Sequence, residues 1–228
     1  MASAEKDETK CKRVFIVDDH PLVREWLTNL INQQVDLMVC GEGDTAAAAL
    51  DGIAAHRPDV AVIDISLAST SGLELIKDLK IQHPSVAIIV LSMHDEALYA
   101  ERALRSGARG YVMKRETSKK IITAIRRVIE GDVFVSEAVS SSMALKYLEG
   151  HTAAAQRASP IELLSDRELE VFRLLGQGRG TAEIAESMHV SPKTVQAYCA
   201  RAKEKLGVRT FTGLLREAVR FETDSYTG

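Results

Sequence analysis

In the first half of this 228-residue chain, five polar residues stand immediately after short apolar runs. The pair Asp18-Asp19 follows RVFIV (13–17), Asp64 follows DVAVI (59–63), Ser92 follows VAIIVL (86–91) and Lys114 follows GYVM (110–113). Three carboxylates brought to one edge repel one another unless a cation intervenes. Oxygen donors with an open position suit Mg²⁺, which binds through one or two carboxylates and keeps places for water and phosphate. The metal and the Lys114 ammonium together balance the three negative charges. Asp64, the central acid, is then placed to attack phosphorus and carry an aspartyl phosphate. Lys114 and the metal would neutralise the equatorial oxygens, and Ser92 would donate a hydrogen bond to one of them. An acid after a strand is commonly a helix cap and a lone lysine is commonly solvated. It is the coincidence of all five at matching positions that points to chemistry.

The elements that must position these residues are legible from periodicity. The four runs above and DLMVC (36–40) are apolar almost throughout, and each is followed by a segment with helical spacing, such as Leu22, Trp26, Leu30 or Ile121, Ile125, Val128. That alternation predicts a doubly wound α/β domain with a five-stranded parallel sheet covered on both faces. Right-handed crossovers then bring every strand up in one direction and gather the residues past the strand ends on the carboxyl edge, where such sheets place ligands. The strand pattern stops after Gly131. Residues 132–160 read as a connection with a helix near 137–149 and a linker, HTAAAQRASP, over 151–160. From 161 to 228 the pattern is all helical. Ser165 and Glu168 make a capping box, Thr181 to Met188 a short helix, and Ser191-Pro192 an N-cap and first-turn proline for the next helix.

Composition narrows the classes. The net charge is -3, with 46% hydrophobic and 5% aromatic residues, so no global charge announces a nucleic-acid or membrane partner. No apolar run approaches the ~18–20 residues of a membrane helix, and residues 1–12 read as a polar, disordered tail rather than a secretory signal. Cys11, Cys40 and Cys199 are too scattered for a disulfide framework, which fits a reducing cytoplasm.

On these motifs the first half resembles the receiver domain of bacterial two-component response regulators. The carriers are VDDHPLVRE (17–25), DISLASTSGLEL (64–75), LSMHDE (91–96) and GARGYVMK (107–114). The resemblance implies a flavodoxin-like receiver over 13–131, with Asp64 as phosphoacceptor from a sensor histidine kinase. It implies Asp19 as direct Mg²⁺ ligand, Asp18 as a water-mediated one and the Ser66 backbone carbonyl as a third. Ser92 and Tyr111 match the family's hydroxyl–aromatic switch pair. The chain departs from the family in having Ala68 where a proline is usual four residues after the phosphoacceptor, and Arg115 where many relatives have proline after the lysine, so a trans bond is expected there.

In the helix opened by Ser191, Val195, Cys199, Ala202 and Leu206 recur at core spacing, leaving Lys193, Gln196, Ala197, Ala200 and Arg201 outward. Residues 161–228 carry ten basic and ten acidic residues, but 193–209 hold five cations against Glu204 alone. A short helix, a tight turn at His189-Val190 and a capped second helix make a helix-turn-helix, whose second helix enters the major groove. Residues 164–208 resemble the LuxR-type DNA-binding domain of NarL/FixJ-class regulators. That likeness implies Lys193, Gln196, Ala197 and Ala200 at the base edges, with Thr194, Arg201 and Lys205 at phosphates. The expected protein is a cytoplasmic, bacterial, phosphorylation-activated regulator of double-stranded promoter DNA, homodimeric when phosphorylated, and not a turnover enzyme. Two alternative readings make different demands on the sequence. An aspartyl-phosphate hydrolase would need a second aspartate where Ser66 stands. A phosphorylation-independent DNA binder that uses its first half only to dimerise would not need the complete acidic set.

Overall fold

The computed structural model describes residues 11–67, 72–157 and 159–227. Ala68 and most of the tail expected over 1–12 therefore lie outside the described residues. Two compact units divide between Val139 and Ser140.

In the first unit, five strands alternate with five helices. They are β1 (Lys12–Val17), α1 (Pro21–Asn32), β2 (Leu37–Gly43), α2 (Ala46–His56), β3 (Val60–Ile63), α3 (Gly72–Gln82), β4 (Ala87–Ser92), α4 (Glu96–Ser106), β5 (Gly110–Met113) and α5 (Ser118–Ile129). The sheet is wholly parallel in the order β2-β1-β3-β4-β5. Lys12 belongs to β1 rather than to a tail, because its backbone N–H bonds the Asp36 carbonyl at 2.8 Å and its ammonium sits 3.0 Å from Asp59. Val14, Ile16, Val62, Ile89, Leu91 and Val112 pack against Leu27 and Ile31 of α1 and Ile121, Ile125 and Val128 of α5. The alternate residues Phe15, Ala61, Ile63, Ile88, Val90 and Tyr111 are equally buried and face the other side, as the two-residue strand period requires. Being apolar on both faces is what made these strands read as continuous runs.

Register aligns the strand ends. Val17 pairs with Ile63, and Ser92 with Met113. The ladder continues one step further, the Asp64 amide donating to the Val17 carbonyl and the Lys114 amide to the Ser92 carbonyl, both at 2.8 Å. Beyond α5, residues expected to be a plain connection add a parallel bridge at the sheet edge, Gly110 to Phe134, with Arg127 over the Phe134 ring.

A single helix, α6 (Glu137–Arg157), replaces the expected short helix and linker. The three consecutive alanines 153–155 are strong helix formers, and no proline intervenes before Pro160. A 3₁₀ turn (Pro160–Leu163) follows, then α7 (Asp166–Gly176), α8 (Thr181–Ser187), α9 (Pro192–Lys205) and α10 (Phe211–Thr227). The Ser165–Glu168 capping box forms as expected, and Ser191 caps α9 by accepting from the Thr194 amide at 3.1 Å. His189 takes a left-handed conformation (φ 53°) in the turn between α8 and α9.

Gly72 matters most for the carboxyl edge. A Cβ there would come within 2.6 Å of the Ile65 Cα and closer still to the Asp64 carbonyl oxygen, both backbone atoms. Gly72→Ala is expected to destabilise the first unit by about 1–3 kcal/mol, the usual cost of overpacking. Urea denaturation would read this as a lowered midpoint, and an unchanged midpoint would show that the loop after Asp64 relaxes freely.

Candidate functional site

The carboxyl edge of the sheet gathers Asp18 and Asp19 from the end of β1, Asp64 from β3, Ser92 from β4 and Lys114 from β5. Asp18, Asp64 and Ser92 are buried, at 2%, 3% and 0% exposure. The Lys114 ammonium lies 2.6 Å from Asp18 Oδ2 and 2.7 Å from Asp64 Oδ2. The other oxygens of the two acids accept backbone N–H groups, Asp18 Oδ1 from His20 at 2.9 Å and Asp64 Oδ1 from Ser66 at 3.1 Å. Burial pushes the Asp64 carboxyl above its ordinary value, with Lys114 working against that rise. Burial pulls the Lys114 ammonium down, but Asp64 and Asp18 outweigh it and the net shift is upward, so the lysine stays charged.

Asp19 is different. Its Oδ1 is buried without a hydrogen-bond partner. The His20 Nδ1 approaches it to 2.7 Å, an ion-pair distance without the directionality of a hydrogen bond. An orphaned carboxylate oxygen beside two paired ones leaves an acceptor for a cation. Single ligand atoms from Asp18, Asp19, His20 and Asp64 all lie within 4.8 Å of one another. The donor set fits a hard divalent ion, with the three acids as the oxygen donors. His20, which begins α1 as its N-cap, brings a ring nitrogen to the same place.

The aromatic partner of Ser92 is fully turned in. Tyr111 is 1% exposed, and its hydroxyl donates to the His94 carbonyl at 2.9 Å. Burial raises its phenol well above the ordinary value, the Ser92 hydroxyl beside it acting in the opposite sense. His94 was not singled out from sequence, yet it meets every part of this corner. Its amide donates to Ser92 Oγ at 3.2 Å, its carbonyl accepts from Tyr111, and its Nε2 lies 2.6 Å from Ser66 Oγ. The one available signal was its place two residues after Ser92.

In the second unit, Val195, Cys199 and Ala202 of α9 are buried as expected, and Leu206 is half-buried. Lys193, Gln196, Ala200 and Arg201 are exposed, and Thr194 and Ala197 half-buried. Two of the expected phosphate contacts have further engagements. The Arg201 guanidinium lies over the Tyr198 ring, 5.5 Å from its centre. The Lys205 ammonium lies 2.6 Å from Glu168 Oε2, whose side chain is buried. The same Glu168 oxygen accepts the Ser165 amide at 2.8 Å, so one carboxylate both caps α7 and anchors the end of α9. Burial pushes Glu168 up, but Lys205 and Ser165 prevail and hold the carboxyl below its ordinary value.

Comparison with known proteins assigns both halves. Residues 14–126 match the response regulator receiver domain, and residues 162–218 match the luxR family of bacterial regulatory proteins. The chain is 31% identical over 210 residues to the oxygen regulatory protein NreC of Staphylococcus carnosus, covering 91% of this chain and 97% of that one. Among solved structures it is similar to the RcsB response regulator of Salmonella typhimurium (28% identity, TM-score 0.71, 92% and 98% covered). It is also similar to RcsB of Salmonella enterica serovar Typhimurium bound to promoter rprA in the presence of phosphomimetic BeF₃⁻ (28% identity, TM-score 0.66, 90% and 97% covered). The chain belongs to the NarL/FixJ class of response regulators, a receiver joined to a LuxR-type helix-turn-helix, and is a DNA-binding response regulator.

The Glu168–Lys205 pair gives a pH test. A carboxyl held below its ordinary value stabilises the fold fully above that value, near 4.5, and the contribution is lost as pH falls through the lower folded value. Glu168→Gln is therefore expected to cost about 1.5–3 kcal/mol at pH 7, the worth of hydrogen bonds to a charged group. The gap from wild type should narrow at acid pH. A gap independent of pH in parallel thermal melts would mean that the carboxylate charge contributes nothing.

Proposed function

We propose that Asp64 is the phosphoacceptor of a phosphorylation-controlled transcription regulator, taking its phosphoryl group from the phosphohistidine of a sensor kinase. What carries the reading is the Lys114 bridge between buried Asp18 and Asp64, beside an Asp19 oxygen that accepts no hydrogen bond. Asp19 would ligate Mg²⁺ directly, with Asp64 and the Ser66 carbonyl beside it and Asp18 acting through water. The metal would supply charge neutralisation at the phosphoryl oxygens. An Asp64 carboxylate oxygen attacks phosphorus as the bond to the kinase imidazole nitrogen breaks, and the imidazole leaves with the bonding pair. Lys114 stays at the site to balance the new negative charge, and Ser92 donates its hydroxyl to a phosphoryl oxygen. Slow reaction with water returns the free carboxylate, so the protein is a switch and not a turnover enzyme.

The output is promoter DNA, entered through α9 by a homodimer in its phosphorylated state, in the bacterial cytoplasm. Support comes from the RcsB structures, one with promoter DNA and a phosphomimetic and one described as two RcsB dimers bound to two parallel DNAs. Two copies related by a two-fold axis would read a two-fold symmetric site. No helix among the described residues is long and apolar enough to cross a membrane.

The test compares wild type with Asp64→Ala on a promoter library, each treated with Mg²⁺ and a small acyl-phosphate donor. DNA binding should strengthen on treatment in wild type alone, and chelating the metal beforehand should abolish the gain. Equal binding by both proteins would instead make the first half a dimerisation platform. Phosphomonoester turnover faster than slow self-hydrolysis would revive an enzymatic reading.

A further inference from the structure

We infer that the groove-facing stripe of α9 selects an A·T core, with adenine opposite Gln196 and thymine methyl groups opposite Ala197 and Ala200. The inference rests on α9 being the helix that enters the major groove. Residues 193, 196, 197 and 200 follow the spacing of a single helix face. From first to last they rise about 10 Å, at 1.5 Å per residue, or about three base-pair steps of 3.4 Å.

What this stripe offers the base edges is limited. Lys193, Gln196 and Ala200 are exposed and Ala197 is half-buried. The stripe therefore presents one ammonium at its start, one amide in the middle and two methyl groups. The other cations of α9 follow these four in the chain, Arg201 on the same outward face, and each has a further engagement. Arg201 stacks on Tyr198, Lys205 is paired with Glu168, and Lys203 is half-buried on the side of Cys199, whose thiol feels its charge. Past Lys193, the one donor among the four is the Gln196 amide, and a guanine edge, which offers only acceptors at O6 and N7, would leave the amide oxygen unpaired. A glutamine amide both donates and accepts, matching adenine N7 and N6–H₂, a pattern unique to that base in the major groove. Alanine has only a methyl group, and the thymine C5-methyl is the base-edge group that makes favourable apolar contact with it. Placed opposite guanine or cytosine, the same alanines would leave polar edges stripped of water without partners.

The experiment uses the full chain, treated with Mg²⁺ and an acyl-phosphate donor, to select from a pool of randomised duplexes. The enriched site should hold adjacent A·T pairs, in two copies if the protein binds as a symmetric dimer. Replacing the core thymines by uracil removes only the methyl group and should weaken binding by about 5- to 10-fold. Gln196→Ala should lower the preference for adenine at one position by about tenfold. Ala200→Lys should reduce the sensitivity to uracil, leaving the part due to Ala197, and steepen the salt dependence by about one phosphate-equivalent charge. Enrichment of a G·C core, equal affinity for uracil and thymine duplexes, or an adenine preference unchanged in Gln196→Ala would each overturn the inference while leaving the DNA reader in place. Retention of no duplex at all would instead overturn the reading of α9 as a DNA-binding helix, and this inference with it.

Discussion

Two carboxylates cannot stay ionised side by side in a protein interior without a compensating charge, and the first unit is arranged around that constraint. Asp18 and Asp64 are both buried, and a single ammonium, Lys114, lies within 2.7 Å of each. Taking three ions out of water costs more than their attraction returns unless the remaining oxygens are also satisfied. The His20 and Ser66 amides meet that need. Each partner comes from a different strand end or the turn beyond it, so the arrangement exists only if the sheet order and register are right. The one unpaired strand slot on each side of β3 is filled by β1 and β4, and Lys114 arrives from β5 through the backbone bond to Ser92. The charges still do not cancel. Three acids against one lysine leave an excess of negative charge, and Asp19 holds an oxygen with no hydrogen-bond partner. On the proposed reading, a bound cation would offset that excess.

The same corner shows how a change at Asp64 would be felt elsewhere. His94 is tied to the side chain of Ser66, the hydroxyl of Ser92 and the hydroxyl of Tyr111 through three different groups. Movement of Ser92 toward a phosphoryl oxygen would pull on the His94 amide, and the His94 carbonyl is what holds Tyr111 inward. Since α4 begins at Glu96, two residues beyond His94, on the proposed reading a loop that moved with Ser92 would also shift the start of a helix. Such a linkage needs no long pathway, only one short loop with two arrangements.

Much of this was legible in the sequence, for identifiable reasons. Each strand of a covered parallel sheet is a continuous apolar run, and the polar residue ending it marks the carboxyl edge. Asp18, Asp19, Asp64, Ser92 and Lys114 could therefore be placed together before any coordinates. Caps were legible because they are local, as with Ser165–Glu168 and Ser191. The contacts that escaped are those whose partners lie far apart in the chain with no pattern linking them. Glu168 and Lys205 are separated by 37 residues, and Ser66 and His94 by 28. The length of α6 escaped for a different reason. HTAAAQR lacks large apolar residues, which suggested a linker, while the helix propensity of its alanines favours the continuation seen.

The Glu168–Lys205 pair also bears on how such a domain binds DNA. Residues 161–228 are neutral overall, and one of the five cations of 193–209 is spent inside the fold. A module with few free phosphate contacts has little of the sequence-independent affinity that basic DNA-binding domains enjoy. On the proposed reading, that weakness is useful. A single copy would dissociate readily, while two copies held together gain the second contact at high effective concentration. Pairing of the copies then changes occupancy steeply, which a strongly basic domain, already bound everywhere, would not allow. On that reading, pairing Lys205 of α9 with Glu168 of α7 is consistent with a protein whose binding is controlled from another domain.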